Sequence, residues 1–421
     1  MIRAKNFLVA ILTFAAIHVH AQVENPYPPA LYPDRIVLNV TEDPATSIAV
    51  NWRTSAAVEE SYLEILPAVS TPALTKDAPR IKAVTEHFEL RGIRSNFHAA
   101  VAQSLTPNTL YMYRVGNGDH WSEWFHIRTA GKAGEKFSFI YMGDVQQGMR
   151  TFWPRMIREA YLKAPDARLI MYAGDIVNRG LNDHEWGELF YGGGFLHSTI
   201  PGMPSPGNHE HADNEQGVNV ITPLWKAQYN LPENGPKGLE ETVYYTDIQG
   251  VRFISLNSQE IWFGNEKMDQ QIAWLHKVLS DNPNKWTILT FHHPVHSVSV
   301  RRDNKNLREK FQPIFEKYKV DLVLQGHDHA YARGMKNVPM PEGFKGTTAS
   351  AYVVSMCGSK MYNNDTQKWM DKVGTNVQLY QVITVDGGKL LYRCYTATGE
   401  LFDAFDLLKV KGKNNKMVEV K

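Results

Sequence analysis

The chain has little cysteine: Cys357 and Cys394 are the two cysteines in 421 residues. Two are too few for a disulfide-stapled scaffold or for a zinc module built on cysteine. Two interpretations stay open for this pair. They form one disulfide in an oxidising compartment, or they are two small buried thiols.

An excess of charge of either sign is also missing, since 45 lysines and arginines accompany 44 aspartates and glutamates. This balance, without a polybasic run or an acidic tail, argues against a nucleic-acid-binding surface. Low-complexity sequence is missing too, and 43% of the residues are hydrophobic, as in an ordinary globular protein. The length predicts two or three domains.

Long apolar runs are also missing. After the N-terminal stretch, no segment has the roughly 18 apolar residues of a transmembrane helix. Residues 1–21 have the pattern of a secretory signal. Arg3 and Lys5 precede an apolar stretch at 7–17, and Val19 and Ala21 supply the small residues of a cleavage site. We therefore expect a mature protein that is secreted, either periplasmic or extracellular, without a membrane-spanning segment.

Residues 22–131 have the pattern of an all-β sandwich. Ile48, Val50 and Trp52 alternate along one predicted strand, and Tyr111 and Tyr113 alternate along another. Glycine-rich turns separate these short strands. Alternate positions also resemble the fibronectin type III pattern with its tyrosine corner, namely Leu105, Pro107, Thr109 and Tyr111.

Residues 132–409 change character, because short apolar strands alternate with helical patterns there. Alternation of this kind predicts an α/β domain whose sheet is covered by helices. Met268, Leu275 and Leu279 fall on one face of a predicted helix over 267–281, and residues 386–388 predict a hairpin turn. Residues 410–421 are expected to form a polar C-terminal tail.

Five polar motifs follow apolar runs in this second region. They are Gly143-Asp144, Gly174-Asp175, Gly207-Asn208-His209-Glu210, His292-His293-Pro294 and Gly326-His327-Asp328-His329. In open α/β sheets, sites form at the carboxyl ends of the strands. Oxygen and imidazole donors suit Mn, Fe and Zn, and a bridging carboxylate can hold two ions ~3.5–4 Å apart for phosphoryl chemistry. The motifs therefore predict a two-metal site.

The five motifs in this order resemble the calcineurin-like metallophosphoesterase superfamily. With the sandwich ahead of them, the chain is most similar to the purple acid phosphatase branch. The resemblance implies a fibronectin type III-like sandwich followed by an α/β metallophosphoesterase domain, a β-sheet sandwich flanked by helices. It also implies a hydrolase of phosphate monoesters that holds two metal ions, of Fe, Mn or Zn, with a metal-bound hydroxide as the nucleophile.

The resemblance also implies a role for each motif residue. Asp144, Asp175 and His329 would hold one metal, and Asp175 would bridge to the second. Asn208, His292 and His327 would complete the second metal's ligands. His209 would face the substrate and either assist the leaving group or stabilise the transition state.

Three positions depart from the family's pattern. Asn178 replaces the tyrosine that supplies an iron-binding phenolate, so neither this ligand nor the purple colour is implied; an asparagine there can hydrogen-bond His209. Gln146 replaces a histidine and is either a weak ligand or the holder of a metal-bound water.

Arg301 and Arg302 stand where plant-type members have a phosphate-binding histidine pair, and are either phosphate ligands or solvated arginines. Further phosphate-binding candidates are Arg179, His293 and His296.

Two other functions fit the sequence. A phosphodiesterase or nucleotide pyrophosphatase would use the same motifs, because the outer wall, expected from residues 180–206 and 211–240, decides between substrates. A non-catalytic binding protein with the sandwich as its recognition module is the alternative from another class, and the retained ligand set argues against it. A phosphorylated small molecule or nucleotide is the expected substrate.

Overall fold

A computed structural model describes residues 25–363 and 365–420, so the predicted signal at 1–21 lies outside the described residues. The strands are β1 Asp34–Asn39, β2 Ile48–Ser55, β3 Tyr62–Pro67, β4 Arg80–Lys82, β5 Val84–Leu90, β6 Ile93–Ala102, β7 Leu110–Asn117, β8 His120–Trp121, β9 Phe125–Arg128, β10 Phe137–Met142, β11 Ile170–Ala173, β12 Gly202–Ser205, β13 His211–Asp213, β14 Asn219–Ile221, β15 Tyr244–Ile248, β16 Val251–Ser255, β17 Trp286–Thr290, β18 Leu322–Gln325, β19 Tyr331–Gly334, β20 Ala351–Val354, β21 Lys372–Gly374, β22 Leu379–Asp386, β23 Lys389–Thr396, β24 Leu401–Leu408 and β25 Lys416–Glu419. The α-helices are α1 Met149–Lys163, α2 Asp183–Gly193, α3 Pro223–Gln228, α4 Ser258–Phe263, α5 Glu266–Ser280 and α6 Gln312–Tyr318.

The N-terminal strands form a sandwich, as the alternating pattern predicts. One layer has the order β1-β2-β6-β5, and the other has the order β4-β3-β7-β8, with β9 also paired to β7. Side chains of both layers, including Val50, Trp52 and Tyr113, form one buried core between them. The hydroxyl of Tyr111 accepts a hydrogen bond of 2.9 Å from the backbone N–H of Thr106, which is the contact of a tyrosine corner.

The sandwich shares a sheet with the α/β region, which the sequence does not reveal. Strand β1 pairs in parallel with β12 through Asn39 and Gly202, so one layer continues into an 11-stranded sheet of order β25-β24-β23-β22-β10-β11-β12-β1-β2-β6-β5. Tyr113 also donates a hydrogen bond of 2.6 Å from its hydroxyl to the carbonyl of Ser198. Backbone pairing and side-chain contact therefore both link the two regions.

The α/β region has four layers. The 11-stranded sheet faces a 7-stranded sheet of order β15-β16-β17-β18-β20-β19-β21. Leu322 and Leu324 of β18 belong to the core cluster that joins the sheets and α1, whereas Val323 belongs to the cluster with α5 and α6. The central strands are thus buried on both faces, which explains their continuous apolar runs.

Several local predictions are confirmed. Helix α5 spans Glu266–Ser280, close to the predicted 267–281, and β22 and β23 form the hairpin through 386–388. Cys357 and Cys394 are both free and buried. In the part of the chain that the structure describes, no helix combines the length and the hydrophobicity needed to cross a membrane.

The predicted tail at 410–421 requires a correction. Residues Lys416–Glu419 form β25, which pairs in antiparallel with β24. Met417 packs against the main core, and Glu419 forms an ion pair with the buried Arg333. The segment is therefore an edge strand. Its polar composition predicted a tail, because the contacts of Met417 and Glu419 with residues distant in the sequence cannot be seen in the composition.

A buried charge cluster joins the sandwich to α2. Arg35 of β1 lies 2.7 Å from Asp183, the first residue of α2, and Arg53 of β2 lies 3.2 Å from the same carboxylate. Arg53 also contacts Asp34 at 2.6 Å. Burial and the charge of Arg53 lower the pKa of Arg35, and the charge of Asp183 opposes both effects. Asp183 therefore balances charge that the fold has removed from water.

We predict that Asp183→Asn destabilises the protein. The substitution keeps the side-chain volume but leaves the buried Arg35 without a counter-charge, which costs about 3 kcal/mol. The unfolding free energy in urea measures the loss. Glu89→Gln removes the same charge from an exposed pair with Arg94 and is expected to cost less than about 0.5 kcal/mol. Equal losses in the two variants would contradict the assignment.

Candidate metal centre

The predicted ligands converge where five strands end. The strands are β10, β11 and β12 of one sheet and β17 and β18 of the other, each parallel to its neighbours in that group. Their carboxyl ends lie at a common edge of the two-sheet core, as open α/β sheets require. The side chains brought to that edge are Asp144, Asp175, Asn208, His209, His292, His327 and His329.

Two groups of donor atoms share one carboxylate. The donors of Asp144, Asp175 and His329 lie within 4.8 Å of one another, and so do the donors of Asp175, His292 and His327. Oδ2 of Asp175 lies 3.0 Å from Nε2 of His292. That same nitrogen lies 3.1 Å from Oδ1 of Asn208, so the amide faces the second group. The arrangement has the composition of two adjacent cation sites around a common oxygen ligand.

The backbone at these residues is held in an uncommon conformation. Asp144, Asp175, His327 and His329 have positive φ angles of 47°, 48°, 75° and 47°. Left-handed backbone in residues other than glycine costs about 1–2 kcal/mol each and concentrates at functional sites. Gly174, with a φ of 79°, allows the close approach of two strand ends, because a Cβ there would lie 2.8 Å from the Cβ of His292.

Backbone carbonyls orient the imidazole rings. Nδ1 of His292 donates to the carbonyl of Ala173 at 2.9 Å, and Nδ1 of His329 donates to the carbonyl of Lys360 at 2.8 Å. A carbonyl can only accept, so Nδ1 of each ring carries a proton and Nε2 is the nitrogen on the side of the aspartates. Burial lowers the pKa of His292, but the charge of Asp175 and its hydrogen bond to the ring raise that pKa to about 9. Burial lowers the pKa of His329 to about 4 and the pKa of His327 well below its ordinary value. The rings of His329 and His327 are therefore uncharged at neutral pH, and each has a nitrogen lone pair that a metal ion can use.

Gln146 lies within the site. Its Nε2 donates to Oδ2 of Asp175 at 2.7 Å and lies 3.2 Å from Nε2 of His329. Its Oε1 is buried without a hydrogen-bond partner in the described part of the chain. The side chain therefore contacts two of the three donors of one group, Asp175 and His329, through its amide nitrogen. Its predicted role, as a weak ligand or as the holder of a metal-bound water, stays a prediction.

His209 lies at the edge of the donor groups. Its Nε2 is 3.8 Å from Oδ2 of Asp175, and 29% of its side chain is exposed. Its Nδ1 donates to the backbone carbonyl of Asn178 at 2.6 Å. The side chain of Asn178 instead accepts a hydrogen bond from Gln147. Position 178 thus orients His209 through its backbone, so the side-chain contact expected from the sequence is replaced by a main-chain one.

Glu210 is a residue whose role the sequence pattern did not indicate. Its buried carboxylate accepts four backbone N–H bonds, from Asp175 at 2.9 Å, Ile176 at 2.8 Å, Val177 at 3.1 Å and Gly207 at 2.7 Å. The carboxylate therefore joins the loop after β11 to the loop after β12. A signal was present, because Glu210 ends the motif that begins at Gly207, but most of its partners are distant in sequence.

The arginine candidates differ in their surroundings. Arg179 is 68% exposed and pairs with Glu185 at 2.7 Å. Arg302 donates to Asp328 at 2.8 Å and to the carbonyl of His327 at 3.1 Å, which fixes it against the last motif. Arg301 is exposed in the same loop. Arg302 is therefore the arginine that directly braces a motif carrying predicted ligands.

The two histidine candidates for phosphate contact lie in the interior. His293 is buried, and its Nδ1 lies 2.9 Å from Oγ of Ser258. His296 is buried between Tyr352 and Trp369. Both rings thus pack in the protein interior, and the His293 ring lies 4.3 Å from the His327 ring, centre to centre. Phosphate contact by either histidine stays a prediction.

Family models match both regions of the chain. Residues 33–129 match the model described as "Purple acid Phosphatase, N-terminal domain", and residues 137–331 match "Calcineurin-like phosphoesterase". The chain belongs to the calcineurin-like phosphoesterases, in their purple acid phosphatase branch. It is a phosphoric ester hydrolase of this family.

Individual relatives are distant but cover most of the chain. "Acid phosphatase type 7" of Mus musculus is 26% identical over 72% of this chain and 71% of its own. "Probable inactive purple acid phosphatase 24" of Arabidopsis thaliana is 26% identical over 91% of this chain and 69% of its own. The structure of purple acid phosphatase PPD1 from yellow lupin (Lupinus luteus) has a TM-score of 0.73 at 19% identity, covering 89% of this chain and 74% of that one. This likeness shows the fold.

We predict that Glu210→Gln loosens the site. An amide offers one oxygen acceptor and directs its own N–H groups at the backbone donors, which costs about 3 kcal/mol. Urea unfolding and the metal content per chain are the measurements. Glu215→Gln, in an exposed loop nearby, is the matched control and is expected to leave both unchanged. Wild-type stability and metal content in Glu210→Gln would show that the four hydrogen bonds do not hold the loops.

Proposed function

We propose that the chain hydrolyses phosphate monoesters at a centre of two metal ions, with Asp175 as the bridging ligand. The observation that supports the proposal is the membership of the Asp175 carboxylate in both donor groups. Asp144 and His329 would complete one group. Asn208, His292 and His327 would complete the other, with Gln146 beside the first.

The residues present fit divalent metals such as Fe, Mn or Zn. Buried carboxylates, imidazoles and the unpartnered Oε1 of Gln146 make up a mixed oxygen and nitrogen donor set. When bound, two such ions neutralise phosphoryl charge and lower the pKa of water, which supplies a nucleophile near neutral pH. The protein's part is to hold the donors rigidly, through the carbonyls behind His292 and His329 and through Glu210.

His209 is the proposed proton donor to the leaving group. Because the carbonyl of Asn178 accepts from Nδ1, that nitrogen carries a proton. Nε2, on the side of Asp175, therefore holds a proton only when the ring is cationic. A cationic His209 can stabilise negative charge on the ester and protonate the departing oxygen.

The sandwich and the signal complete the proposal. We propose residues 22–131 as a domain that supports the catalytic domain, 132–409, since none of the proposed ligands lies in it. We also propose that residues 1–21 direct export, on the pattern of their sequence. A phosphodiesterase remains the alternative, and substrate comparison separates the two activities.

We predict that wild-type protein holds two metal ions per chain and hydrolyses p-nitrophenyl phosphate faster than bis(p-nitrophenyl) phosphate. Asp175→Ala is expected to lose both ions, because it removes a ligand from both groups, whereas His329→Ala mainly weakens one. Metal content by mass spectrometry and hydrolysis rates test this. Retention of two ions in Asp175→Ala would refute the bridge, and preference for the diester would assign the alternative activity.

We predict that His209→Ala keeps its metals but loses activity by about 10²–10⁴-fold on a substrate with a poor leaving group. The loss should be smaller for p-nitrophenyl phosphate, whose leaving group needs little protonation. Steady-state rates on an alkyl phosphate and on p-nitrophenyl phosphate provide the comparison. An equal loss on both esters would instead indicate electrostatic stabilisation, and unchanged rates would remove His209 from the reaction.

A further inference from the structure

The segment after β20 lies against the proposed metal ligands. The backbone N–H of Cys357 donates to the carbonyl of Gly143 at 2.7 Å, and that of Gly358 donates to the carbonyl of Asp144 at 2.9 Å. A Cβ on Gly358 would lie 2.3 Å from the Asp144 carbonyl oxygen. This contact therefore requires glycine, and it fixes the path of the next few residues.

Lys360 and Tyr362 are held beside His329 by this path. The carbonyl of Lys360 accepts from Nδ1 of His329 at 2.8 Å, and the backbone N–H of Tyr362 donates to the carbonyl of His329 at 3.0 Å. The Tyr362 ring lies 4.7 Å from the His329 ring, centre to centre. Nζ of Lys360 lies 5.4 Å from the centre of the Tyr362 ring. The ammonium group is thus one aromatic ring away from a proposed ligand.

The charge of Lys360 is not balanced locally. Among residues 25–363 and 365–420, no carboxylate lies within 4.0 Å of its Nζ. Arg302, whose guanidinium lies 5.5 Å from the same Tyr362 ring, is in contrast paired with Asp328. The two cations therefore have different roles: Arg302 braces the last motif, and Lys360 offers free positive charge.

The contacts of Lys360 within the described part of the chain do not require a lysine side chain at this position. Its contact with His329 uses the backbone carbonyl, which any residue would supply. A lysine side chain loses considerable rotamer freedom when ordered, and gains little from its position over one ring. An unpaired ammonium on a half-buried residue beside the proposed metal centre is instead suited to an anionic part of a substrate.

We infer that Lys360, supported by the Tyr362 ring, binds a second anionic group of the substrate, a carboxylate or another phosphate, while the metal centre takes the scissile phosphate. The inference rests on the proposed function, because it assigns the substrate class of the same site. An ammonium is a compact charge without the planar fork of arginine, so it accepts either anion. The preferred substrates are therefore phosphate monoesters that carry a further negative group.

Matched esters test the inference. One pair is 3-phosphoglycerate and glycerol 3-phosphate, which differ by a carboxylate. The other is fructose 1,6-bisphosphate and fructose 6-phosphate, which differ by a phosphate. Wild-type kcat/KM is expected to be higher for the more anionic member of at least one pair. Lys360→Met should lower that value about tenfold, through KM, and change the less anionic partner by less than about twofold.

Two control variants make the outcome specific. Lys345→Met removes a charge from an exposed loop and should leave both ratios unchanged, and Lys360→Arg should restore the preference. The pair that responds identifies the anion as carboxylate or phosphate. Equal losses on both members of each pair, or no loss, would overturn the inference while p-nitrophenyl phosphate is still hydrolysed. Absence of hydrolysis of every ester by metal-loaded wild type would overturn the proposed function itself.

Discussion

The carboxylate of Asp175 belongs to two groups of donor atoms. The residues of these groups follow strands of two different sheets. Its Oδ2 lies 3.0 Å from Nε2 of His292, and its Oδ1 accepts the backbone N–H of His209 at 3.0 Å. Its own backbone N–H is bonded to Glu210. Burial raises the pKa of this carboxyl, but the charges of His292 and His209 hold it below its usual range. The carboxylate is therefore anionic, fixed at both oxygens, and able to serve two cations.

This arrangement requires the sheets to bring their strand ends close together. Left-handed backbone at Asp144 and His329, and glycines before the ligands, make that approach sterically feasible. The unfavourable backbone is offset by buried hydrogen bonds, among them the four that Glu210 accepts. The left-handed backbone at the ligands is therefore tolerated because the hydrogen bonds to the Glu210 carboxylate hold the loops after β11 and β12 in place.

Local patterns in the sequence predicted the site, whereas contacts between distant residues could not be predicted. Motifs at strand ends indicated the seven residues whose side chains converge, because the carboxyl ends of parallel strands meet at one edge. The pairing of β1 with β12 was missed, since the single register pair of Asn39 and Gly202 leaves no periodic signal. Two further positions also depend on contacts between distant residues. His293 is adjacent to the proposed ligand His292, but its ring contacts Ser258 in the interior. Lys360 lies far along the chain from the motifs at Asp144 and Asp175, and the path of the backbone at Gly358 brings it beside His329.

The sandwich takes part in placing His209, although it supplies none of the proposed ligands. The loop from Asp175 to α2 holds His209 twice, through the Asn178 carbonyl on its ring and the Gly180 N–H, which donates to its carbonyl at 2.8 Å. Glu210 fixes the start of this loop. Its end runs into Asp183, which Arg35 and Arg53 of the sandwich hold at the start of α2. A loop restrained at both ends keeps the Asn178 carbonyl in place, so the orientation of His209, the proposed proton donor, depends on charges buried between the two regions.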